Sequence, residues 1–221
     1  GKEINMRKIY VIVFASLLTF TAKSFAEVGM GITANYAMTS TSGTETLRDS
    51  NKLSTTTHDE DVIIPEVFIE FIGDRGAFGL SYVPVTELGS KSRTDTNTEG
   101  SSGTYEGKAE ISDHVTVYAD WNLSEYMGST IYATGGISRA TIVSLESIST
   151  GGSNYGDENV FGYTVGLGAK GDLPYRDGLY YKASVNYTEY DSYEDSASDN
   201  NNKITADTEV TSFKGSIGYK F

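Results

Sequence analysis

Eight segments of this chain alternate apolar and polar residues, and this alternation constrains the fold more than any other feature of the sequence. A period of two is typical of a β-strand with only one face in an apolar environment. The eight segments are 28–38, 66–71, 78–83, 114–123, 131–138, 161–170, 179–190 and 211–221. The pattern therefore predicts an all-β protein with eight strands.

The connections between these segments are alternately long and short. The long connections are polar and cover residues 39–61, 86–107, 144–158 and 192–203, and the short ones cover 73–76, 124–127 and 174–178. In an antiparallel up-and-down arrangement, successive connections lie at opposite ends of the sheet. The sequence thus predicts four long polar loops at one end and three short turns at the other.

An even number of strands of about 10 residues, with long loops at one end and short turns at the other, is typical of a transmembrane β-barrel. The mean hydropathy is only −0.30 because apolar residues occupy alternate positions. A soluble barrel such as a lipocalin would bury the apolar face instead. Because that face carries many aromatic residues and an export signal precedes it, we predict an eight-stranded antiparallel up-and-down transmembrane β-barrel, closed because hydrocarbon cannot satisfy an open sheet edge.

The N-terminal residues have the features of a secretory signal peptide. Two basic residues precede an apolar run at 9–20, and Ser24 and Ala26 form a small-x-small cleavage site. The run is too short to span a bilayer as a helix, and a buried N-terminal helix is the alternative. We predict that residues 1–26 are removed, which changes the net charge from −13 to −16, and that 27–221 form the barrel.

Aromatic residues on the apolar faces predict two belts, one at each membrane surface. The belt near the long loops comprises Tyr36, Tyr82, Tyr163, Tyr187 and Phe213. The belt near the short turns comprises Phe71, Phe78, Trp121, Tyr181, Tyr219 and Phe221.

The second and third segments also predict a register. The register pairs Phe71 with Phe78, Ile69 with Leu80, and Val67 with Tyr82, all on the lipid face. It would also place Pro65 opposite Pro84. Proline cannot donate to a β-ladder, so regular pairing is predicted to end at this level.

The last strand resembles the C-terminal strand signal of outer-membrane proteins. Phe221 is terminal, Tyr219, Ile217 and Phe213 share its face, and Ser216 stands where that signal prefers glycine. Residues 161–169 and 180–190 are similar to the sixth and seventh strands of small barrels such as the OmpA membrane domain, OmpX and the opacity proteins. The resemblance implies a Gram-negative outer membrane, contact with its lipid, and recognition of the strand ending at Phe221 by the barrel assembly machinery.

Charged residues occur on the face that is predicted to line the lumen. They are Glu66, Glu70, Glu110, His114, Asp120, Lys170, Lys182, Lys214 and Lys220. Side chains fill a barrel of eight strands, and buried charges persist when they are paired. We therefore predict that Glu66 and Glu70 pair with Lys182 and Lys214 and that there is no open pore. A proton or ion path is the alternative to packing.

Composition and motifs exclude several functions. The chain has no cysteine, and its acidity argues against nucleic-acid binding. Acidic stretches at 59–61 and 191–199 are interpreted as solvated surface, with divalent-cation binding as the alternative. His58 is expected in the first loop. His114, Thr116 and Asp120 would have to supply any hydrolytic triad, but on the inward face they are hidden from lipid.

These observations predict a monomeric barrel that presents its loops to an extracellular partner and performs no chemistry. We assign no catalytic, cofactor-binding or metal-binding residues. The alternatives are a barrel that transports small solutes or ligands and, less favoured, a lipid-modifying enzyme.

Overall fold

The computed structural model describes residues 27–46, 53–95, 103–147, 158–196 and 203–221, which form ten strands. The strands are β1 (Glu27–Thr46), β2 (Leu53–Gly73), β3 (Gly76–Val83), β4 (Thr86–Asp95), β5 (Gly103–Tyr126), β6 (Ser129–Ser147), β7 (Glu158–Asp172), β8 (Leu179–Tyr190), β9 (Tyr193–Ser196) and β10 (Lys203–Lys220). In this part of the chain, no helix is long and apolar enough to cross a membrane. The predicted signal peptide, 1–26, lies outside the described residues.

The ten strands form one closed antiparallel barrel with eight strand positions. The order is β1, β2, β3, β5, β6, β7, β8, β10, and β10 pairs with β1 to close it. β4 continues β3 along β5, and β9 continues β8 along β10, so each of these two pairs occupies one position. The predicted all-β, eight-stranded antiparallel fold is therefore confirmed.

The predicted faces are also confirmed. Large apolar side chains point outward and are exposed, for example Ile32, Leu167 and Ile217. Tyr36 and Phe213, which are directly paired, and Phe71 near the opposite end are exposed on the same outer surface. The side chains buried inside are mostly polar, so the barrel has the inverted arrangement that a lipid solvent requires.

Three tight turns join the strands at one end, which we call the turn end. They lie at Asp74–Arg75, at Met127–Gly128 and between Leu173 and Gly178. The second turn was predicted at 124–127, but β5 continues to Tyr126. Met127 and Gly128 both have positive φ, which is typical of a type I′ hairpin whose twist matches that of the strands.

The opposite end, which we call the hairpin end, differs from the prediction. Much of the sequence expected to be loop is paired strand: β1 and β2 remain in register up to Thr46 and Leu53. β1 has 20 residues, about twice the 9–11 that cross a bilayer. Alternation marks only the part of a strand that faces lipid, and the polar Ser- and Thr-rich continuation pairs without it. His58 therefore lies on β2, opposite Thr41, and not in a loop.

The β2–β3 register agrees with the prediction. Phe71 pairs with Phe78, Ile69 with Leu80, and Val67 with Tyr82, and this ladder ends below the two prolines. The expectation that regular pairing would stop altogether at that level is wrong. β2 continues along β1, and β4 continues along β5. As at the junction between β7 and β9, the described backbone has no ladder at the junction between β2 and β4. We call this junction the seam.

A β-bulge lies beside Arg139, a charged residue that breaks the alternation of β6. The one extra residue is on the neighbouring strand, where the β5–β6 register shifts between Ser112 and Val115. Asp113 in this bulge has a φ of 50°. Arg139 points outward and donates a hydrogen bond to Asn159.

Candidate functional site

The lumen contains the buried charges, and their order can be read along β2. Starting from the turn end, its inward residues are Glu70, Phe68, Glu66, Ile64 and Val62. Glu70 and Glu66 belong to two separate ionic clusters, whereas Ile64 and Val62 are apolar. The lumen thus has three levels with different chemistry.

The level nearest the turn end is an ionic cluster across the tube. Lys182 Nζ donates to Glu70 at 2.8 Å and to Asp120 at 2.7 Å. These three residues lie on β8, β2 and β5, which are well separated around the wall. Glu70 and Asp120 are only 1% exposed. The predicted pairing of Glu70 with a lysine is confirmed, and Asp120 is a second partner that was not predicted.

Tyrosines complete this cluster. The hydroxyls of Tyr118 and Tyr180 each donate to Glu70 at 2.8 Å. Lys182 Nζ also lies 4.9 Å from the ring centroid of Tyr118 and 5.5 Å from that of Tyr132. We call these six residues the septum: Glu70, Asp120, Lys182, Tyr118, Tyr132 and Tyr180.

Glycines make room for the septum tyrosines. A Cβ on Gly79 would lie 2.4 Å from the Tyr118 ring, and one on Gly168 would lie 2.5 Å from the Tyr132 ring. The rings can therefore lie close to the backbone of the neighbouring strand. The alternation of their strands puts these tyrosines on the inward face, but the sequence alone assigns them no role. The signal that could have identified them was an inward tyrosine opposite a glycine.

The septum separates two cavities that share no lining residue. On the hairpin side lies a polar cavity of about 70 Å³, lined by residues such as Thr33, Thr116 and Asn186. On the turn side lies a wider recess of about 330 Å³, which Lys170 and Lys220 line. Some side chains of the septum line the polar cavity and the others line the recess. The septum is therefore a partition across the lumen.

The middle level contains the second predicted ion pair. Lys214 Nζ lies 3.0 Å from both carboxylate oxygens of Glu66, and Asn35 donates to the same carboxylate at 2.7 Å. Glu66 is buried, so this pairing satisfies a charge that the interior could not otherwise hold. The prediction that Glu70 and Glu66 pair with Lys182 and Lys214 is therefore confirmed.

The level nearest the hairpin end is apolar. Ala37, Ile64 and Val83 are buried against one another, with Val62 and Val210 packed beside them. Ala140 and Val160 are the buried inward residues on the opposite wall. We call this band the collar, and it comprises Ala37, Val62, Ile64, Val83, Ala140, Val160 and Val210.

The residues considered for a hydrolytic triad have separate partners. His114 Nε2 lies 2.8 Å from the Tyr190 hydroxyl, whereas Asp120 binds Lys182 and Thr116 bonds to Ser138. The side chains of His58 and Glu110 lie outside the described part of the structure. Within the described side chains, no group of three or more His, Asp and Glu residues could hold a metal ion.

No protein-family model matches the chain, and no curated protein matches its sequence. Solved outer-membrane barrels do share its fold. The outer membrane protein OprG from Pseudomonas aeruginosa aligns with a TM-score of 0.53 and 14% identity, covering 87% of this chain and 96% of that one. The outer membrane protease OmpT from Escherichia coli aligns with a TM-score of 0.50 and 8% identity, covering 92% and 100%.

The attachment invasion locus protein Ail of Yersinia pestis gives a TM-score of 0.44 at 12% identity, covering 88% of this chain and 99% of that one. At such identities, the likeness is one of fold. The closed barrel with an exposed apolar outer surface, and the fold it shares with outer-membrane barrels, place this protein in the outer membrane. Its turn end corresponds to the periplasmic side and its hairpin end to the extracellular side, because outer-membrane barrels have short turns in the periplasm.

Proposed function

We propose that this protein is a rigid outer-membrane scaffold that presents acidic, polar hairpins to an extracellular partner. The observation that carries the proposal is the continued pairing of the strands beyond the membrane, where β1 and β2 remain in register to Thr46 and Leu53. A loop that needed only to connect two strands would not require this extension. Functional segments are commonly positioned by a rigid scaffold of this kind.

The extended strands form a continuous polar sheet. β9, β10, β1 and β2 are successive neighbours in it. Its outer surface carries Asp59 and Asp61, which accept hydrogen bonds from Ser40 and Tyr36, both at 2.8 Å. Glu209 is exposed on the same surface and lies directly opposite Ser40. We propose this acidic sheet as the surface that a partner contacts.

A closed lumen is part of the proposal. The septum crosses the tube through contacts of 2.7–2.8 Å, and the collar lies beyond it. We further propose that the protein is monomeric, catalyses no reaction and is assembled through recognition of the strand ending at Phe221. The separate partners of His114 and Asp120 support the absence of catalysis.

Removing the projecting part of the first hairpin should abolish attachment without disturbing the barrel. The variant lacks residues 39–60 and joins Met38 to position 61, its partner in the ladder, through an Asn-Gly turn. It also carries Asp61→Asn and Glu209→Gln, so that the acidic groups of the proposed surface are removed or neutralised. Cells that produce each form would be tested for attachment to a panel of immobilised proteins and polysaccharides. Heat-modifiable migration in gels provides the control for folding. Equal attachment by both forms would contradict the role of this hairpin.

The seam favours a second candidate function, passage of apolar solutes through the barrel wall. Pro65 and Pro84 flank the level at which the β2–β3 ladder ends. The adjacent inward residues Ile64 and Val83 belong to the apolar collar. Ile63 on the outer surface is 69% exposed. The wall at this point is thus joined by side-chain packing instead of a described ladder, with apolar groups on both faces.

Replacing Pro65 and Pro84 with valine should close such a passage. The two substitutions restore N–H donors, so the ladder can continue upward and seal the wall. The measurement is uptake of the apolar dye N-phenyl-1-naphthylamine by cells that produce the protein. Pro174→Val is the matched control because Pro174 lies in a periplasmic turn. Uptake that is the same with and without the protein would rule out this candidate.

A further inference from the structure

The lumen changes from polar to apolar at one level on six strand positions. The inward residues at this level are Ala37, Ile64, Val83, Ala140, Val160 and Val210, on β1, β2, β3, β6, β7 and β10. Two residues nearer the periplasm, the inward residues on five of these strands are Asn35, Glu66, Ser81, Ser138 and Ser212. The collar is thus a band around the tube and not a local patch.

The collar is closely packed. Ala37, Ile64, Val83, Ala140 and Val160 are between 1% and 8% exposed. Between its two apolar walls, His114 on β5 and Tyr190 on β8 approach each other to 2.8 Å. These two strands are separated by β6 and β7 in the wall, so this contact spans part of the lumen. The extracellular end of the tube is therefore obstructed by mostly apolar side chains.

The septum and the collar obstruct ions through different physical mechanisms. Charged and hydroxyl groups of the septum can exchange a neighbour for water or an ion. An apolar constriction offers no such exchange and excludes ions by dewetting. We infer that the collar is an independent barrier to ions. It keeps the lumen closed to ions even when the septum is neutralised. The inference rests on the closed lumen of the proposed function and deepens it.

The test is conductance in planar lipid bilayers in KCl, with the full chain. The septum is neutralised by Lys182→Met, Glu70→Gln and Asp120→Asn together. The collar is then made polar in that background by Ile64→Thr and Val83→Thr. The matched control in the same background carries Ile64→Val alone, so it differs from the polar collar only by hydroxyls in place of methyl groups at the two positions. Threonine and valine have similar shapes, and heat-modifiable migration checks the folding of each variant.

The expected result is no resolved openings for the wild type, the neutral septum or the apolar control, and resolved openings for the polar collar. The inference would be overturned by resolved openings of the neutral-septum variant or of the apolar control. It would also be overturned if the folded polar-collar variant showed no openings. Openings of the wild type would instead refute the closed lumen of the proposed function. The two failures are therefore distinguishable.

Discussion

Replacing Lys182 with methionine is expected to lower the free energy of unfolding by about 3–5 kcal/mol, because it removes one partner from a buried ionic cluster. Lys182 contacts both Glu70 and Asp120, and each carboxylate is 1% exposed. Methionine occupies a similar volume, so the loss reflects two uncompensated charges more than a cavity. The measurement is urea unfolding in detergent micelles, followed by the fluorescence of Trp121, the single tryptophan.

Lys220→Met is the matched control for this prediction. Lys220 pairs with Asp172 at 2.8 Å and with Glu27 at 3.7 Å, but the side chains of these two carboxylates are 76% and 46% exposed. An exposed pair of this kind contributes about 0–1 kcal/mol, so the control should unfold close to the wild type. Adding Glu70→Gln and Asp120→Asn to Lys182→Met should recover much of the lost stability, since neutral amides replace the unpaired charges. Equal stability of Lys182→Met and the wild type would contradict the role assigned to the ion pairs.

Ile217→Arg is expected to destabilise the barrel in lipid by about 2–4 kcal/mol, the cost of an arginine at the middle of the lipid face of a barrel. Ile217 is 53% exposed on the outer surface of β10 and lies midway between Phe213 and Phe221, which belong to the two aromatic belts. The measurement is the midpoint of reversible unfolding from phospholipid vesicles. The loss should be larger in vesicles than in detergent micelles, where water reaches the surface more easily.

Thr57→Arg is the control for the arginine substitution. Thr57 also points outward and is exposed, but it lies on the part of β2 that extends beyond the aromatic belt. Surface substitutions of this kind usually change stability by less than about 0.5 kcal/mol. Similar losses for the two arginine variants would mean that the level of Ile217 is not within the hydrocarbon.

The accuracy of the sequence predictions differed between the membrane part and the projecting part. The β2–β3 register was predicted residue by residue because alternation, together with Pro65 and Pro84, permits few alignments. The extension of β1 and β2 to Thr46 and Leu53 was missed because both faces of that region are polar. Without an apolar face, a paired strand and a loop have similar composition, and only the partner strand distinguishes them.

Within the lumen, the predictions of ion pairs were the most accurate. The pairs Lys182–Glu70 and Lys214–Glu66 followed from the rule that buried carboxylates require cations. The second partner, Asp120, was not predicted, because an inward position on β5 does not reveal which side chains meet across the tube. The same limitation concealed the collar. Ala37, Ile64 and Val83 are each a single apolar residue in their own strand, and they form a band only when six strands are aligned.

The sequence by itself determined the eight lipid-facing strands, the two ends and the pairing of the inward glutamates with lysines. These features follow from local rules, because alternation, turn length and the cost of burying a charge can be evaluated along the chain. Only the tertiary structure decided where the ladder between β2 and β4 is absent, how far the hairpins project, and that septum and collar lie at separate levels. Those features depend on strand stagger and on distances across the lumen, which closure of the barrel sets and which no single segment encodes.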